Sequence, residues 1–260
     1  MRNLTLSIIS HGHTALLPAL LGDLAALPEA SSLRVIVTLN VPDARFDPQA
    51  YPPLSIDVIH NAEPKGFGAN HNAAFQQCRD DTAWFGILNP DLRLPRNPFP
   101  ALEAATSADP RLALVAPTIV GSSGRPEDAV RGNLTLPSLL RRSRGHRLAL
   151  QVDQPAVAGQ PFYWLAGMFL LARADAFRAV GGFDERFFLY CEDYDLCARV
   201  YAAGYALAPV AAASAIHDAQ RDSHRAFKYL RWHVESLLKV WTSRAFWRVT
   251  LDRRARHPNS

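Results

Sequence analysis

The segment from Gly181 to Val200 combines acidic and aromatic residues in a pattern that few solvated surface segments show. In its second half it carries Glu192, Asp193 and Asp195. A carboxylate in a partly dry, aromatic wall can be tuned as a base or can hold a polar substrate. We therefore take Asp193, with Glu192 beside it, as the first candidate for general-base chemistry.

The same three carboxylates also have a purely structural interpretation. Acidic residues are common at helix N-termini, where they cap backbone amides and oppose the helix dipole. Asp195 stands four residues before Arg199, which is the spacing of an ion pair on one helix face. We expect Asp195 to be structural.

Two further sites offer metal-ligand chemistry. The turn Asn89-Pro90-Asp91 follows the apolar run WFGIL, and a carboxylate held at the end of a buried strand can bind a hard divalent cation that neutralises a diphosphate. Asn, Pro and Asp also favour turns for conformational reasons, so the segment has a structural interpretation that needs no metal. His217 ends a later apolar run, where neutral imidazole can be a metal ligand or simply a hydrogen-bonded surface residue.

The loop at residues 61–72 contains glycines and amides and leads into a helix. It lacks the third glycine of a dinucleotide fingerprint and the Gly-Lys-Ser/Thr of a P-loop, so neither chemistry follows. Gly66 and Gly68 permit close backbone approach, while Asn70 and Asn72 offer amides to a nucleotide or to a neighbouring strand. A ligand-binding loop and a structural loop both fit.

Alternating strands and helices must position these residues. Apolar runs predict strands at 4–10, 33–39, 56–60, 83–88, 112–119 and 163–172, and helical spacing predicts helices at 16–24, 69–77, 192–204 and 227–241. This order predicts an α/β sheet with ligands at the carboxyl ends of its strands. The segment 121–160 is predicted to be a mobile or substrate-dependent excursion, and its Arg141, Arg142, Arg144 and Arg147 suit an acceptor clamp or a disordered loop.

Composition limits the class of protein. The 260 residues, 48% of them hydrophobic, suffice for one domain with a C-terminal appendage. The three cysteines form no CxxC pair, which argues against a disulfide framework or a zinc site and fits a reducing, cytosolic setting. Neither a run of 18 apolar residues nor a signal-peptide core is visible.

Positive charge is concentrated near the C-terminus. From residue 221 onward 10 Lys and Arg stand against 3 Asp and Glu, whereas the preceding residues carry a net negative charge. A nucleic-acid-binding module would be expected to carry positive charge on its body as well, so that class is disfavoured. A basic amphipathic helix suits an anionic membrane surface or a diphosphate-bearing acceptor, although a merely solvated helix has the same pattern.

The chain resembles the family 2 inverting glycosyltransferases, especially their bacterial rhamnosyltransferase-like branch, in six segments taken in order: LSIISH, VTLN, NAEPKGFGANHNAAF, FGILNPD, WLAGMFLLARADAFRAVGGFDERFFLYCEDYDLCARV and IH. The resemblance spans nearly residues 4–217. It implies a GT-A fold, with a single mixed, mostly parallel sheet flanked by helices and a C-terminal amphipathic helical extension. The implied domain covers 1–220, with a nucleotide half at about 1–92, an acceptor half at about 110–220 and a basic tail at 221–260.

The resemblance also implies roles for individual residues. Asp91 matches the metal-binding carboxylate and His217 the late histidine that completes the metal and diphosphate site, with Mg²⁺ or Mn²⁺ as the cofactor. Asn89 replaces the partner aspartate of the usual Asp-x-Asp and cannot supply its charge. Asp193 matches the catalytic base. The nucleotide sugar is expected at Ser10, Asn40, Asn61, Gly66, Phe67, Gly68, Asn72, Asn89 and Asp91, and the acceptor at Trp164, Gly167 and Glu192.

Together these roles imply a single in-line displacement with inversion, in which Asp193 takes the proton of the attacking acceptor hydroxyl. The donor is expected to be a dTDP- or UDP-sugar, such as dTDP-rhamnose or a UDP-hexose. The acceptor is expected to be a glycan or a polyprenyl-diphosphate-linked glycan of cell-surface polysaccharide synthesis. The expected location is cytoplasmic, at the inner membrane surface through the C-terminal helix.

Two alternatives stay open. A nucleotide-sugar-binding GT-A protein without transferase activity would keep the fold, but the joint presence of Asp91, Asp193 and His217 argues against it. A sugar nucleotidyltransferase would have a Gly-rich, Arg- and Lys-containing signature after the first strand. The residues at 10–13 are instead Ser-His-Gly-His.

Overall fold

The computed structural model describes residues 3–42, 46–143, 150–217 and 226–252. Its strands are β1 Leu4–Ser10, β2 Arg34–Leu39, β3 Ser55–His60, β4 Trp84–Leu88, β5 Leu92–Arg93, β6 Leu112–Gly121, β7 Val130–Gly132, β8 Tyr163–Leu165, β9 Phe169–Arg173 and β10 Ala206–His217. Its helices are α1 Leu17–Ala25, α2 Phe67–Gln76, α3 Phe99–Ala108, α4 Leu136–Ser143, α5 Ala174–Ala179, α6 Glu192–Ala202, α7 Ala226–Thr242 and α8 Arg244–Leu251.

Eight strands form the main sheet, in the order β3-β2-β1-β4-β9-β6-β10-β5. Strands β9 and β5 run antiparallel to their neighbours, and the other pairs are parallel. The predicted mixed, mostly parallel sheet flanked by helices is confirmed. Strand β1 is buried at every position, as a continuous apolar run covered on both faces must be.

Two hydrophobic clusters cover the sheet. Along β2 the side chains alternate between them, because Val35 and Val37 belong to one cluster and Ile36 to the other. The first cluster also holds the buried leucines of α1, and the second holds Tyr194 of α6. The sheet therefore separates two apolar layers and leaves its carboxyl edge for polar residues.

The predicted strand at 163–172 is wrong as one element, because the chain breaks at residues 166–168. Strand β8 pairs with β7 in a separate two-stranded sheet, whereas β9 inserts between β4 and β6 of the main sheet. The break brings Gly167 to the first turn of α6. Alternation alone does not reveal it, since the run is apolar throughout.

Part of the predicted excursion at 121–160 has regular structure. It contains β7 and α4, and Leu139 of α4 packs against the core. Trp241 Nε1 donates to the Leu134 carbonyl oxygen at 2.9 Å, which ties the residues just before this helix to α7. The predicted arginines Arg144 and Arg147 lie outside the described residues, as does the side chain of Arg142.

The predicted C-terminal helix corresponds to α7, and a second helix, α8, follows it. Phe246 and Val249 of α8 are buried, and α8 packs against α6. Ser243 caps α8 by accepting a hydrogen bond from the Phe246 amide at 3.1 Å. Among the helices of the described ranges, none has the length and apolarity needed to cross a membrane.

Candidate active site

The carboxyl edge of the main sheet brings together most of the predicted site residues. Strand β1 ends at Ser10, Asn40 follows β2, Asp91 lies just after β4, and β10 ends at His217. A cavity of about 530 Å³ opens at this edge. Its lining includes the predicted residues Asn40, Phe67, Asn89, Asp91, Gly167, Glu192 and Asp193.

Asp193 lies in the first turn of α6, and backbone amides bind both of its carboxylate oxygens. The Gly167 amide donates to Oδ2 at 2.9 Å and the Tyr194 amide donates to Oδ1 at 2.8 Å. Burial raises the pKa of Asp193, although these amides and the guanidinium of Arg131 oppose the rise. An oriented carboxylate of raised basicity is suited to accept a proton from a bound hydroxyl.

Glu192 lies beside Asp193 and is buried, with 6% of its surface exposed. Its Oε2 has no hydrogen-bond partner in the protein. Burial, and then the neighbouring charge of Asp193, raise the pKa of Glu192. A carboxyl with an unsatisfied oxygen in a cavity can bind a hydroxyl of a substrate.

The chain reaches this pair through an uncommon backbone conformation. Tyr190 has φ 74° and Cys191 has φ 65°, values that non-glycine residues rarely adopt. Cys191 precedes α6 as its N-cap residue. Such conformations cost free energy and cluster at functional sites.

A second cluster lies at the ends of β4 and β10. His217 Nε2 is 3.3 Å from Asp91 Oδ2, and His217 Nδ1 is 2.9 Å from Glu127 Oε2. Burial by itself would lower the pKa of His217, but the carboxylates of Asp91 and Glu127 outweigh burial and raise it. The other oxygen of Asp91, Oδ1, is buried without a hydrogen-bond partner.

This cluster can supply two of the ligands that a divalent metal ion needs. The unpartnered carboxylate oxygen of Asp91 and a histidine beside it are suitable ligands for Mg²⁺ or Mn²⁺. Within the described ranges no group of three or more His, Cys, Asp or Glu side chains could hold a metal ion. Two protein ligands are enough where the phosphates of a substrate complete the coordination, as is usual for Mg²⁺.

Asparagines tie the ends of β2 and β3 to α2. Asn61 Nδ2 donates to Asn40 Oδ1 at 2.8 Å and to Asn70 Oδ1 at 2.6 Å. Asn40 also accepts from the Lys65 amide at 2.8 Å. Asn40 and Asn70 line the cavity, whereas the predicted Asn61 lies behind them and holds them in place.

The predicted Gly66 and Gly68 pack against the segment before α6 rather than facing the cavity. A Cβ at Gly66 would lie 2.9 Å from the Phe187 carbonyl oxygen, and one at Gly68 would lie 2.6 Å from Phe183 Cβ. The close approach that these glycines permit is therefore to the segment before α6. Neither glycine lines the cavity.

Four other predicted residues also lie away from the cavity lining, and one of them is His217, whose contacts are described above. Ser10 is 1% exposed at the end of β1. Asn72 accepts from the Phe183 amide at 2.9 Å and donates to its carbonyl oxygen at 2.9 Å, so its amide is used within the protein. Trp164 is buried, donates to the Gly132 carbonyl oxygen at 2.9 Å and has Arg131 over its ring at 5.0 Å.

Sequence comparison finds that the chain is similar to proteins named as rhamnosyltransferases. The chain is 29% identical over 248 residues to rhamnosyltransferase WbbL of Escherichia coli (strain K12), which covers 89% of this chain and 90% of that protein. It is 32% identical over 153 residues to the N-acetylglucosaminyl-diphospho-decaprenol L-rhamnosyltransferase of Mycobacterium tuberculosis (strain CDC 1551 / Oshkosh). The chain is a glycosyltransferase of the rhamnosyltransferase type. The predicted resemblance is thereby confirmed, although no protein-family model matches the chain.

The fold of this glycosyltransferase is GT-A. The mannosyltransferase PcManGT from Pyrobaculum calidifontis, solved in complex with GDP-Man and Mn²⁺, superposes with a TM-score of 0.60 at 14% identity. The superposition covers 89% of this chain and 61% of that one. The mycobacterial match covers 55% of this chain and 49% of that relative.

The cavity of the glycosyltransferase is also lined by residues that were not predicted from the sequence. They are His11, His13, Lys65, Arg131, Tyr190 and Trp232, together with Asn70, which the sequence left open. His11 and His13 follow the first strand, so their position at the carboxyl edge was available as a signal. Arg131 and Trp232 come from β7 and α7, whose packing across the cavity has no local signature.

Proposed function

We propose that this glycosyltransferase moves a sugar from a nucleotide-diphosphate donor to a hydroxyl of a glycan or a polyprenyl-diphosphate-linked glycan, in a reaction that inverts the anomeric centre and depends on a divalent metal. One observation carries the proposal. A single cavity holds the oriented carboxylate of Asp193 on one side and Asp91, with its unpartnered oxygen, on the other. A base and a diphosphate-binding end are the two parts that such a displacement needs.

In the proposed reaction Asp193 accepts the proton of the acceptor hydroxyl as its oxygen attacks the anomeric carbon. Glu192 binds and orients the acceptor beside it. Asp91 and His217 would hold the metal, which supplies charge neutralisation for the departing diphosphate when bound. Lys65 and Arg131 line the same cavity and add positive charge there.

The relatives support rhamnose as the sugar and a lipid-linked acceptor. Both proteins compared in sequence are named as rhamnosyltransferases, and the mycobacterial one as acting on a diphospho-decaprenol acceptor. The structural neighbour was solved with a nucleotide sugar and Mn²⁺. We therefore infer dTDP-rhamnose as the first donor to test and a UDP-hexose as the alternative.

A lipid-linked acceptor gives the exposed face of α7 a role at the membrane. Leu230, Val234 and Leu238 recur every fourth residue and are 59%, 49% and 55% exposed. Basic residues lie close by on the same helix, including Arg231 and Lys239. An exposed apolar stripe with basic neighbours suits adsorption to an anionic membrane surface, so we propose peripheral association at the inner membrane.

The donor site is tested by thermal shift with dTDP-rhamnose and UDP-hexoses, each with Mn²⁺ and with EDTA. We expect one donor to raise the melting temperature of the wild type only with Mn²⁺, and Asp91→Ala to abolish that rise. Asp81→Ala, at an exposed position outside the cavity lining, is the matched control. An equal rise in EDTA, or in Asp91→Ala, would contradict the metal-dependent site.

A further inference from the structure

The turn after β6 brings a second carboxylate, that of Glu127, to the proposed metal site. Strand β10 pairs with β6 so that His217 lies opposite Gly121, and with β5 so that His217 lies opposite Leu92. Asp91 precedes Leu92 and is thereby placed on one side of the imidazole. On the other side, the chain reverses after Gly121 and returns to Glu127.

Backbone hydrogen bonds fix this reversal. The Gly121 amide donates to the Arg125 carbonyl oxygen at 2.9 Å, and the Glu127 amide donates to the Ile119 carbonyl oxygen at 2.8 Å. The glutamate side chain packs closely over the turn, since a Cβ at Gly121 would lie 3.2 Å from Glu127 Oε1. Glu127 is therefore held against the end of β6 by the backbone of its own turn.

The imidazole of His217 lies between the two carboxylates. Its Nδ1 is 2.9 Å from Glu127 Oε2 and its Nε2 is 3.3 Å from Asp91 Oδ2. The side chains of His217, Asp91 and Glu127 are 12%, 17% and 29% exposed, so water competes little for these contacts. Carboxylates face both ring nitrogens, and the shorter contact is the one between Nδ1 and Glu127, which favours the neutral tautomer that carries its proton on Nδ1.

We infer that Glu127 is a positioning residue, which holds the ring of His217 with its proton on Nδ1 and thereby presents the lone pair of Nε2 beside Asp91 as a metal ligand. Metal-binding histidines commonly donate their other ring N–H to a carboxylate, which orients the ring and raises the affinity for the metal. The inference rests on the proposed metal dependence. It adds a residue outside the cavity lining to the site.

The first test reads the tautomer directly and needs no metal. Nitrogen-15 NMR of the full chain is recorded over a series of rising pH values until the ring shifts of His217 stop changing and the ring is neutral, with His217→Gln identifying the resonance. We expect the proton on Nδ1 in the wild type and in Glu127→Gln, whose amide oxygen still accepts it. Glu127→Ala is expected to lose this preference. An unchanged tautomer in Glu127→Ala would overturn the inference.

The second test measures Mn²⁺ binding by electron paramagnetic resonance, with Mn²⁺ alone and with UDP. Glu127→Ala is expected to weaken Mn²⁺ binding by about 10- to 100-fold, and Glu127→Gln to restore most of it. Glu185→Ala, which removes a single side-chain hydrogen bond to Asn72 elsewhere, is the control. Equal affinity in Glu127→Ala and wild type would overturn the inference.

The two tests separate this inference from the proposed function. If the wild type shows the Nδ1 proton and Glu127→Ala loses it, but neither protein binds Mn²⁺ with or without UDP, the metal dependence fails while Glu127 still orients the ring. If Mn²⁺ binds to the wild type and the tautomer does not depend on Glu127, the metal site stands and the role of Glu127 fails.

Discussion

At the scale of single residues, two carboxylates of the cavity of this glycosyltransferase each have an oxygen without a hydrogen-bond partner in the protein. Buried polar atoms in proteins nearly always have a hydrogen-bond partner. Asp91 Oδ1 and Glu192 Oε2 have none in the protein, and both residues line the cavity. Asp195, by contrast, is bound by Arg199 at 2.7 Å and has the structural role that its spacing predicts.

His71 gives a prediction at the same scale. It lies on the buried side of α2 with Nδ1 at 2.8 Å from Ser7 Oγ of β1, and burial lowers its pKa to about 3. The folded protein therefore keeps His71 neutral, whereas the unfolded chain takes up a proton near its ordinary pKa of about 6.5. The free energy of unfolding should fall as the pH drops from about 6.5 towards 3, by up to about 1.4 kcal/mol per pH unit.

Urea unfolding at a series of pH values measures this dependence. His71→Gln should lose less free energy of unfolding per pH unit between about pH 6.5 and 3. Above about pH 6.5 the wild type and the variant should show the same pH dependence. His60→Gln, at the exposed end of β3, should behave as the wild type. A wild-type slope in His71→Gln would show that another group causes the acid sensitivity.

At the scale of elements, the fit between α2 and the segment before α6 positions the carboxylates of Glu192 and Asp193. The Phe67 amide donates to the Phe188 carbonyl oxygen at 2.9 Å, and Gly68 faces Phe183 with no room for a side chain. The chain then runs on through Tyr190 and Cys191 to Glu192. A change in α2 should therefore displace the site without touching it.

Gly68→Ala tests this fit. The added methyl group would lie 2.6 Å from Phe183 Cβ, so we expect a loss of about 1–3 kcal/mol in the free energy of unfolding, measured with urea, and reduced transfer activity. Gly22→Ala is the matched control, because a Cβ there meets nothing within 4 Å in α1 and alanine favours a helix by up to about 1 kcal/mol. Equal stability of the two variants would refute the close fit.

The elements also show why sequence reasoning succeeds in part. Strand β1, Leu4–Ser10, is buried on both faces and is therefore a continuous apolar run. The bounds of such a strand can be predicted from the order of apolar residues in the sequence. Strand β7 has only three residues and exists through its pairing with β8, which is a long-range contact. Helix α8 is likewise stabilised by packing on α6, with no long periodic pattern of its own.

At the scale of the whole molecule, the candidate site combines strand ends with the first turn of α6. The placement of Asp91 and His217 at one edge is predictable because both follow or end strands of the sheet, whereas Asp193 is singled out by its acidic, aromatic segment and by the resemblance to a family. Glu127, Arg131 and Trp232 are not predictable, since they reach the site through a turn, a separate small sheet and the C-terminal helix. Trp232 packs on Phe188 with ring centroids 4.8 Å apart, which closes the cavity with α7.

The exposed face of α7 gives a prediction for the whole protein. Replacing Leu230, Val234 and Leu238 by glutamine should weaken binding to vesicles that contain phosphatidylglycerol, measured by sedimentation, because about 25 cal/mol per Å² of buried apolar surface is lost. Substitution is preferable to deletion of the tail, since Phe246 and Val249 of α8 are buried in the core.

Neutral phosphatidylcholine vesicles and unchanged thermal unfolding are the controls for that variant. We expect the wild type to bind neutral vesicles more weakly than anionic ones, since basic residues contribute through anionic lipid. Unchanged partition of the triple variant onto anionic vesicles would remove α7 as the membrane-binding face.

The most direct test of the central claim is the rate of nucleoside diphosphate release from donor and acceptor in Asp193→Asn. The amide keeps the size of the side chain but cannot accept the proton, so kcat should fall by about 10² to 10⁴. The donor should still bind, and Asp81→Asn should keep wild-type kcat. A kcat above about a tenth of the wild-type value in Asp193→Asn would contradict its role as the base.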